Sequence, residues 1–425
     1  MVGKKLISRA SIFFSKNLNL DLSYFIRGGL WITSSNVTSL VAGVFLSSLF
    51  SRIWPKDVYG QFAFLMSVFS FLAITTLPGM NNSVFQGSIE NKDGIFKQAV
   101  VRVVLFSIFG AVVLIAGSIY FMMRNNPNLA LSVFLSAFAF PFSTLGSLIG
   151  SYYSGKKNFK QSSIVAVCSN LFSVILTSAA LFWFGSLAIV ALFSTWSTSI
   201  INIIFTLNTL RGLKNKKTDK RLLKFGVFTS FTNFIWLGLD YSDKFFIPLF
   251  LGFEKTAIYT FAVLIPLQLQ NFFKIFIVLG QPKIADVKER DIKNALFKKS
   301  FQLELLIFVI VVSYIFASPY IFKLLYPAYY DSIFLSQIFV LSLLYYPSNL
   351  FGAYLTKKRL IKESTIGTII FGISSLAALL LFIYLWGLIG AIIAKLFARL
   401  MELLITQFIF FVEIAKEKRM ANRQV

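Results

Sequence analysis

The sequence predicts an all-α polytopic membrane protein of about twelve transmembrane helices in two parallel-repeat six-helix bundles. Three observations carry this. The 425-residue chain is 57% hydrophobic with a mean hydropathy of +0.76, more apolar surface than a soluble chain of this length buries. Apolar runs long enough to cross a bilayer recur throughout. The chain also repeats itself in order. Lys156-Lys157-Asn158-Phe159-Lys160-Gln161-Ser162 reads like Lys358-Arg359-Leu360-Ile361-Lys362-Glu363-Ser364, Phe96-Lys97-Gln98-Ala99 like Ile292-Lys293-Asn294-Ala295, and Phe184-Gly185 like Trp386-Gly387. All three pairs lie about 200 residues apart.

The spans follow in order. Residues 29–51 and 58–80 flank Trp54-Pro55, and 100–123 and 129–153 flank Asn126-Pro127. Residues 162–184 and 187–210 meet at Phe184-Gly185. A basic connection, the best domain boundary, leads to 225–250, 256–281, 301–325 and 332–355. Residues 365–385 and 387–412 meet at Trp386-Gly387. Pro78-Gly79, Pro141, Pro248, Pro266 and Pro347 interrupt the apolar runs and permit bending. The organisation predicted is an interfacial N-terminal segment at 1–28, bundles at 29–212 and 213–412, and a basic tail at 413–425. Six spans per half give both halves one orientation, hence a parallel repeat.

Charge sets the orientation. There are 41 Lys and Arg against 17 Asp and Glu, a net charge of +24. The cations fall on alternate connections: Lys92 and Lys97, then Lys156 and Lys157, then Arg211 to Lys224, then Lys283 to Lys299, then Lys357 to Lys362, and both tails. The positive-inside rule puts that side, with both termini, in the cytoplasm. This sorting also removes the nucleic-acid reading that such a charge suggests in a soluble protein. The first 28 residues are too polar for a secretory signal. Leu6, Ile7, Phe13 and Phe14 among cations suit an interfacial helix.

Chemistry is narrowed by what is missing. There is no His, which excludes imidazole bases and His-containing metal sites. Cys168 has no partner in the chain. No Gly-x-x-x-x-Gly-Lys-Ser/Thr loop occurs. No cofactor is expected and no metal, and the connections opposite the basic side are too short to house an enzyme site. The 50 Phe residues read as lipid-facing bulk.

Ionisable groups inside spans are costly and mark candidate sites. Arg399, Lys395, Lys274, Lys244 and Asn36 are the candidates for binding an anionic substrate; Asp243, Asp240 and Glu402 are the candidates for ion coupling. Lys395 and Arg399 share a helix face, with Glu402 at i+3 from Arg399 able to neutralise it. Asp240 and Lys244 are spaced i,i+4, leaving Asp243 to a coupling cation or to a neighbouring helix. Asn170, Asn202, Asn233, Gln268, Gln270 and Asn271 line a polar cavity or bond between helices.

Ser51-Arg52-Ile53-Trp54-Pro55-Lys56-Asp57-Val58-Tyr59-Gly60-Gln61-Phe62 resembles the span 1–span 2 signature of polysaccharide biosynthesis flippases. Asp243-Lys244-Phe245-Phe246-Ile247, Leu251-Gly252 and Ala257-Ile258-Tyr259 resemble its span 7–span 8 counterpart, with Ala257 where Gly or Val is usual. Tyr326-Pro327-Ala328-Tyr329-Tyr330 resembles the outer turn before span 10. The chain thus resembles, over residues 28–412, the O-antigen and capsule branch of the multidrug/oligosaccharidyl-lipid/polysaccharide exporter superfamily. The resemblance implies two bundles around a central cavity in a bacterial inner membrane. It implies translocation of a lipid-linked (polyprenyl-pyrophosphate) oligosaccharide, with Na+ or H+ and other polysaccharide-assembly proteins as further partners. A cation-coupled multidrug antiporter of the same superfamily is the alternative, kept open by Asp240 and Asp243.

Overall fold

The structure is a computed structural model; it describes residues 22–286, 289–348, 350–352 and 361–423. Side chains are described from residue 30 on, except over 232–240, 274–295, 299, 348–349, 353–365 and 417–425. No strand occurs among the described residues. The helices are α1 (Leu22–Ile53), α2 (Lys56–Leu72), α3 (Met80–Ile89), α4 (Gly94–Met123), α5 (Pro127–Ala137), α6 (Phe140–Ser143) and α7 (Leu145–Gly155). There follow α8 (Phe159–Trp183), α9 (Leu187–Arg211), α10 (Lys220–Leu251), α11 (Phe253–Asp286), α12 (Glu289–Leu325), α13 (Ser332–Phe339) and α14 (Ile361–Arg423).

Among the described residues nine helices are long and apolar enough to cross a membrane, or ten if the bent pair Pro127–Ala137 and Phe140–Gly155 is one span. One of the nine, Ile366–Lys416, covers both stretches expected at 365–385 and 387–412. Gly387 breaks α14 inside that stretch with φ 57° and ψ −128°. Gly185, its counterpart in the sequence repeat, also takes a left-handed φ, 62°. A side chain at either position would be strained, so both glycines end a helix where the sequence pattern places a turn.

Two compact units emerge, one from residues up to Leu49 with Leu72–Asn233, the other from Phe50–Phe71 with residues from Phe234 on. In both, large apolar side chains face outward. Phe109, Phe316 and Phe408 are each about two-thirds or more exposed. Small hydroxylated residues are buried instead: Ser107, Ser136, Thr195 and Ser199 in the first unit, Ser318, Ser332 and Ser336 in the second. That inverted pattern suits helices packed in lipid, where close approach and hydrogen bonds hold helices together.

The first unit centres on Leu77, Met80, Val84, Ile95, Phe96, Val103, Leu145, Leu148 and Ile149. Asn126 caps α5 by accepting from the Leu129 amide at 3.2 Å, with Pro127 in the first turn. The chain then bends by 55° between α5 and α6–α7, where Pro141 cannot donate to the helix ladder. The carbonyls freed by the bend are taken up by α9. Trp196 Nε1 donates to Leu135 O at 3.1 Å, Ser199 Oγ to Ala139 O at 3.0 Å, and Asn202 Nδ2 to Ser143 O at 2.9 Å. Asn202 is therefore an interhelical brace. Replacing it with Leu strands a carbonyl at the bend, and should destabilise the detergent-solubilised protein by about 1–3 kcal/mol in a thermal unfolding assay. An unchanged melting temperature would contradict this reading.

The second unit has two apolar centres. One gathers Phe273, Ile307, Val311, Tyr314, Val340, Leu343, Phe351 and Phe410. The other gathers Ile247, Ile258, Tyr259, Ala262, Phe339, Leu379, Ile383, Ala391, Ile392 and Ala394 from α10, α11, α13 and α14.

Candidate functional site

The second of those centres holds the ionisable side chains. On α14, beyond Gly387, Ala391, Ala394 and Ala398 are all buried. Their small size lets α14 lie close to its neighbours. Lys395, on the adjoining face, then reaches α10, and its Nζ lies 3.3 Å from Asp243 Oδ1. Asp243 is 4% exposed. Its other oxygen, Oδ2, accepts a hydrogen bond from the hydroxyl of Tyr259 on α11, a fully buried side chain. Lys244, next to Asp243 on α10, lies within electrostatic reach of both Asp243 and Lys395.

One ammonium group, one carboxylate and one phenol thus converge from three helices, with Lys244 next to the carboxylate on α10. A buried carboxylate needs such partners, because desolvation of the charge alone costs several kcal/mol. The Lys395 ammonium and the Tyr259 hydroxyl thus each hold one oxygen of the Asp243 carboxylate.

The remaining candidates divide. Arg399 Nη1 contacts Glu402 Oε2 at 2.8 Å, the i,i+3 pairing visible in the sequence. Asn36 is exposed on α1, in the first unit. The side chains of Asp240 and Lys274 lie outside the described residues, as does that of Asn233. Gln270 donates to Ser342 Oγ at 2.9 Å, and Asn170 donates to Ser39 Oγ; both bonds join helices within one unit.

The sequence signatures have a physical role of their own. Ser51 Oγ donates to Leu325 O at 3.1 Å, Arg52 Nη2 to Leu324 O at 2.6 Å, and Lys56 pairs with Asp331 at 2.7 Å. The last contact holds the Asp331 carboxyl below its usual range. Beneath them the rings of Tyr59, Phe261, Tyr326 and Tyr329 pack together, with Phe261 and Tyr329 centroids 3.8 Å apart. Gly60 lies against the start of α11 so closely that a Cβ there would sit 1.8 Å from Phe253 O. The first and third signatures thus meet in one aromatic knot within the second unit, around Phe261, two residues past the second signature. This is why residues 50–71 belong to that unit. Tyr259 and the knot were missed as functional positions, although Tyr259 lies inside the quoted motif Ala257-Ile258-Tyr259. Asp93 was missed as well: buried in the first unit, it is held by Lys156 at 2.7 Å and by Asn215 at 2.9 Å.

A family model described as polysaccharide biosynthesis protein matches residues 25–279, more than half of the chain. The chain belongs to that family. Among solved structures, the lipid II flippase MurJ in an inward closed conformation is similar at a TM-score of 0.68 and 16% identity, covering 92% of this chain and 90% of that one. A multidrug resistance MATE transporter of the MOP superfamily, inward-facing, is similar at a TM-score of 0.65 and 12% identity, covering 90% and 96%. A MOP superfamily transporter from Pyrococcus furiosus with a binding pocket of reverse polarity is similar at 0.56 and 13%, covering 92% and 94%. No curated protein matches. At these identities the likeness shows the fold. This member of the polysaccharide biosynthesis family is an all-α, multi-pass membrane protein with the fold of MOP superfamily transporters.

Proposed function

We propose that the chain is a flippase that moves a lipid-linked (polyprenyl-pyrophosphate) oligosaccharide, such as an O-antigen or capsule repeat unit, from the inner to the outer leaflet of a bacterial inner membrane. It works by alternating access, with both termini in the cytoplasm. The observation that carries this is the contact of Lys395, inside a candidate span, with the buried Asp243 of α10, beside Lys244, in a polysaccharide biosynthesis protein. A diphosphate headgroup cannot cross hydrocarbon unpaired. Lysines held in reserve by a carboxylate supply its counter-charge. When H+ or Na+ occupies Asp243, Lys395 is released toward the diphosphate. When the substrate leaves, the Lys395–Asp243 contact re-forms and expels the ion. An inside-negative potential assists outward movement of the anion by about 2.3 kcal/mol per charge per 100 mV.

The test is surface polysaccharide in cells lacking the gene and complemented with it, together with a count of lipid-linked repeat units held at the inner leaflet. Loss of the gene should remove the surface glycan and accumulate the lipid-linked unit inside. Reporter fusions at Lys216 should read as cytoplasmic; an outside reading would overturn the orientation. The cation-coupled multidrug antiporter is favoured by the likeness to a MATE transporter. It expects extrusion of lipophilic cations with glycan export untouched.

Arg399 enters as a support for this site. Because it pairs with Glu402, Arg399→Gln should lower membrane abundance by roughly two- to threefold. The double variant Arg399→Gln with Glu402→Gln should restore it. If abundance stays normal in the single variant while export falls, Arg399 contacts substrate directly.

A further inference from the structure

At the start of α4 and the end of α9, within the first unit, lies a cavity of about 710 Å³. Lys97 and Arg102 line it from α4, and Lys214 and Lys216 from the connection to α10; Val101, Leu210 and Leu213 form its apolar wall. The connection is fastened in place. Asn215 donates to Asn91 O at 3.0 Å and to Asp93 Oδ2 at 2.9 Å, and accepts from the Asp93 amide at 3.0 Å. A Cβ on Gly94 would meet Lys216 O at 2.5 Å, so this close approach requires glycine.

The nearby acids are already engaged. Lys156 pairs with Asp93, and Lys92 bonds Asp219 at 2.8 Å and also pairs with Glu90. The Lys92 contact holds the Asp219 carboxyl below its usual range, and Asp219 and Glu90 hold the Lys92 ammonium above its own. Among the described residues no hydrogen bond or ion pair is formed by the side chains of Lys97, Arg102, Lys214 or Lys216. Four cations therefore line one cavity whose neighbouring carboxylates are taken.

The cavity also continues into an apolar track. Val101, Leu105, Phe106 and Phe109 succeed Lys97 on the exposed side of α4, each about half exposed or more. Both α4 and α9 are candidate spans, so the cavity lies where they leave the hydrocarbon. A ligand that satisfies both features has an anionic head and an apolar tail. We propose that this cavity binds the phosphate headgroup of an anionic membrane lipid, whose acyl chain runs along Val101, Leu105 and Phe109. The site is distinct from Asp243 and Lys395 and does not depend on the function assigned to them.

The test uses the purified full-length chain in nanodiscs of phosphatidylcholine, with phosphatidylglycerol added in steps. Retained phosphatidylglycerol is counted by native mass spectrometry, and thermal stability is read alongside. The parent should retain phosphatidylglycerol and gain stability. Neutralising the cavity (Lys97→Gln, Arg102→Gln, Lys214→Gln, Lys216→Gln) should reduce retention at least fivefold. Neutralising four exposed cations outside it (Arg211→Gln, Lys217→Gln, Lys220→Gln, Lys224→Gln) should leave retention within twofold of the parent. A charge-conserving set (Lys97→Arg, Arg102→Lys, Lys214→Arg, Lys216→Arg) should bind like the parent, which separates lost binding from lost folding. Equal losses from the cavity set and the outside set, or no loss from either, would overturn the proposal. So would an equal stabilisation by inorganic phosphate or diphosphate in phosphatidylcholine alone, which would make the cavity a site for soluble anions.

Discussion

Replacing Asp243 with Asn should abolish surface polysaccharide and weaken the fold together. Asn keeps the volume and can still accept from Tyr259, but it leaves Lys395 without the carboxylate 3.3 Å away. Breaking one side of a buried pair costs about 3–5 kcal/mol, and the partial exposure of Lys395, 21%, places the cost toward the lower end. The double variant Asp243→Asn with Lys395→Met removes the Lys395 charge as well and leaves only the neighbouring Lys244, so thermal stability and membrane abundance should rise well above those of the single variant. Export should not return, because the exchange of Lys395 between Asp243 and the substrate is gone. If the double variant recovers both stability and export, the pair is structural and carries no part of transport.

The second large effect is expected at Gly60. Gly60→Ala drives a Cβ to 1.8 Å from a backbone oxygen of α11, and neither side can yield, since both helices carry rings of the aromatic knot. Overpacking against backbone should cost roughly 3 kcal/mol or more. The expected result is near-complete loss of the protein from the membrane fraction. Gly43→Ala is the control, because nothing lies within 4 Å of a Cβ there. In mid-helix it should be neutral or stabilise by up to about 1 kcal/mol. Equal abundance of the two variants would refute the close contact at Gly60.

These two sites also show what the sequence could and could not disclose. The helices were legible because hydrocarbon demands long apolar runs, and because Pro141, Gly185 and Gly387 impose bends and turns by their own backbone chemistry. The Arg399–Glu402 pair was legible because it is local, i and i+3 on one helix. The partner of Asp243 was not. Helical spacing offered Lys244 to Asp240, whereas Lys395 reaches Asp243 from a helix about 150 residues further along the chain. Periodicity within one helix says nothing of which helices pack together. The signature around Trp54 and Tyr59 marked the family, but only the fold shows that it works by packing, against rings brought from Phe261 and Tyr329. The cavity lined by Lys97 and Lys216 was hidden for a different reason. In sequence its cations are part of a general basic excess, and they become distinct only once Asp93 and Asp219 are seen to be engaged elsewhere.

The most direct measurement is translocation by the purified chain in liposomes. A fluorescent polyprenyl-diphosphate oligosaccharide is incorporated, and its exposure on the far leaflet is followed with a membrane-impermeant glycosidase. The parent should expose the sugar under a proton or sodium gradient. The stably inserted double variant Asp243→Asn with Lys395→Met should match empty liposomes. Translocation by the double variant at the parent rate, or a parent that leaves the sugar inside while extruding a lipophilic cation, would contradict the account.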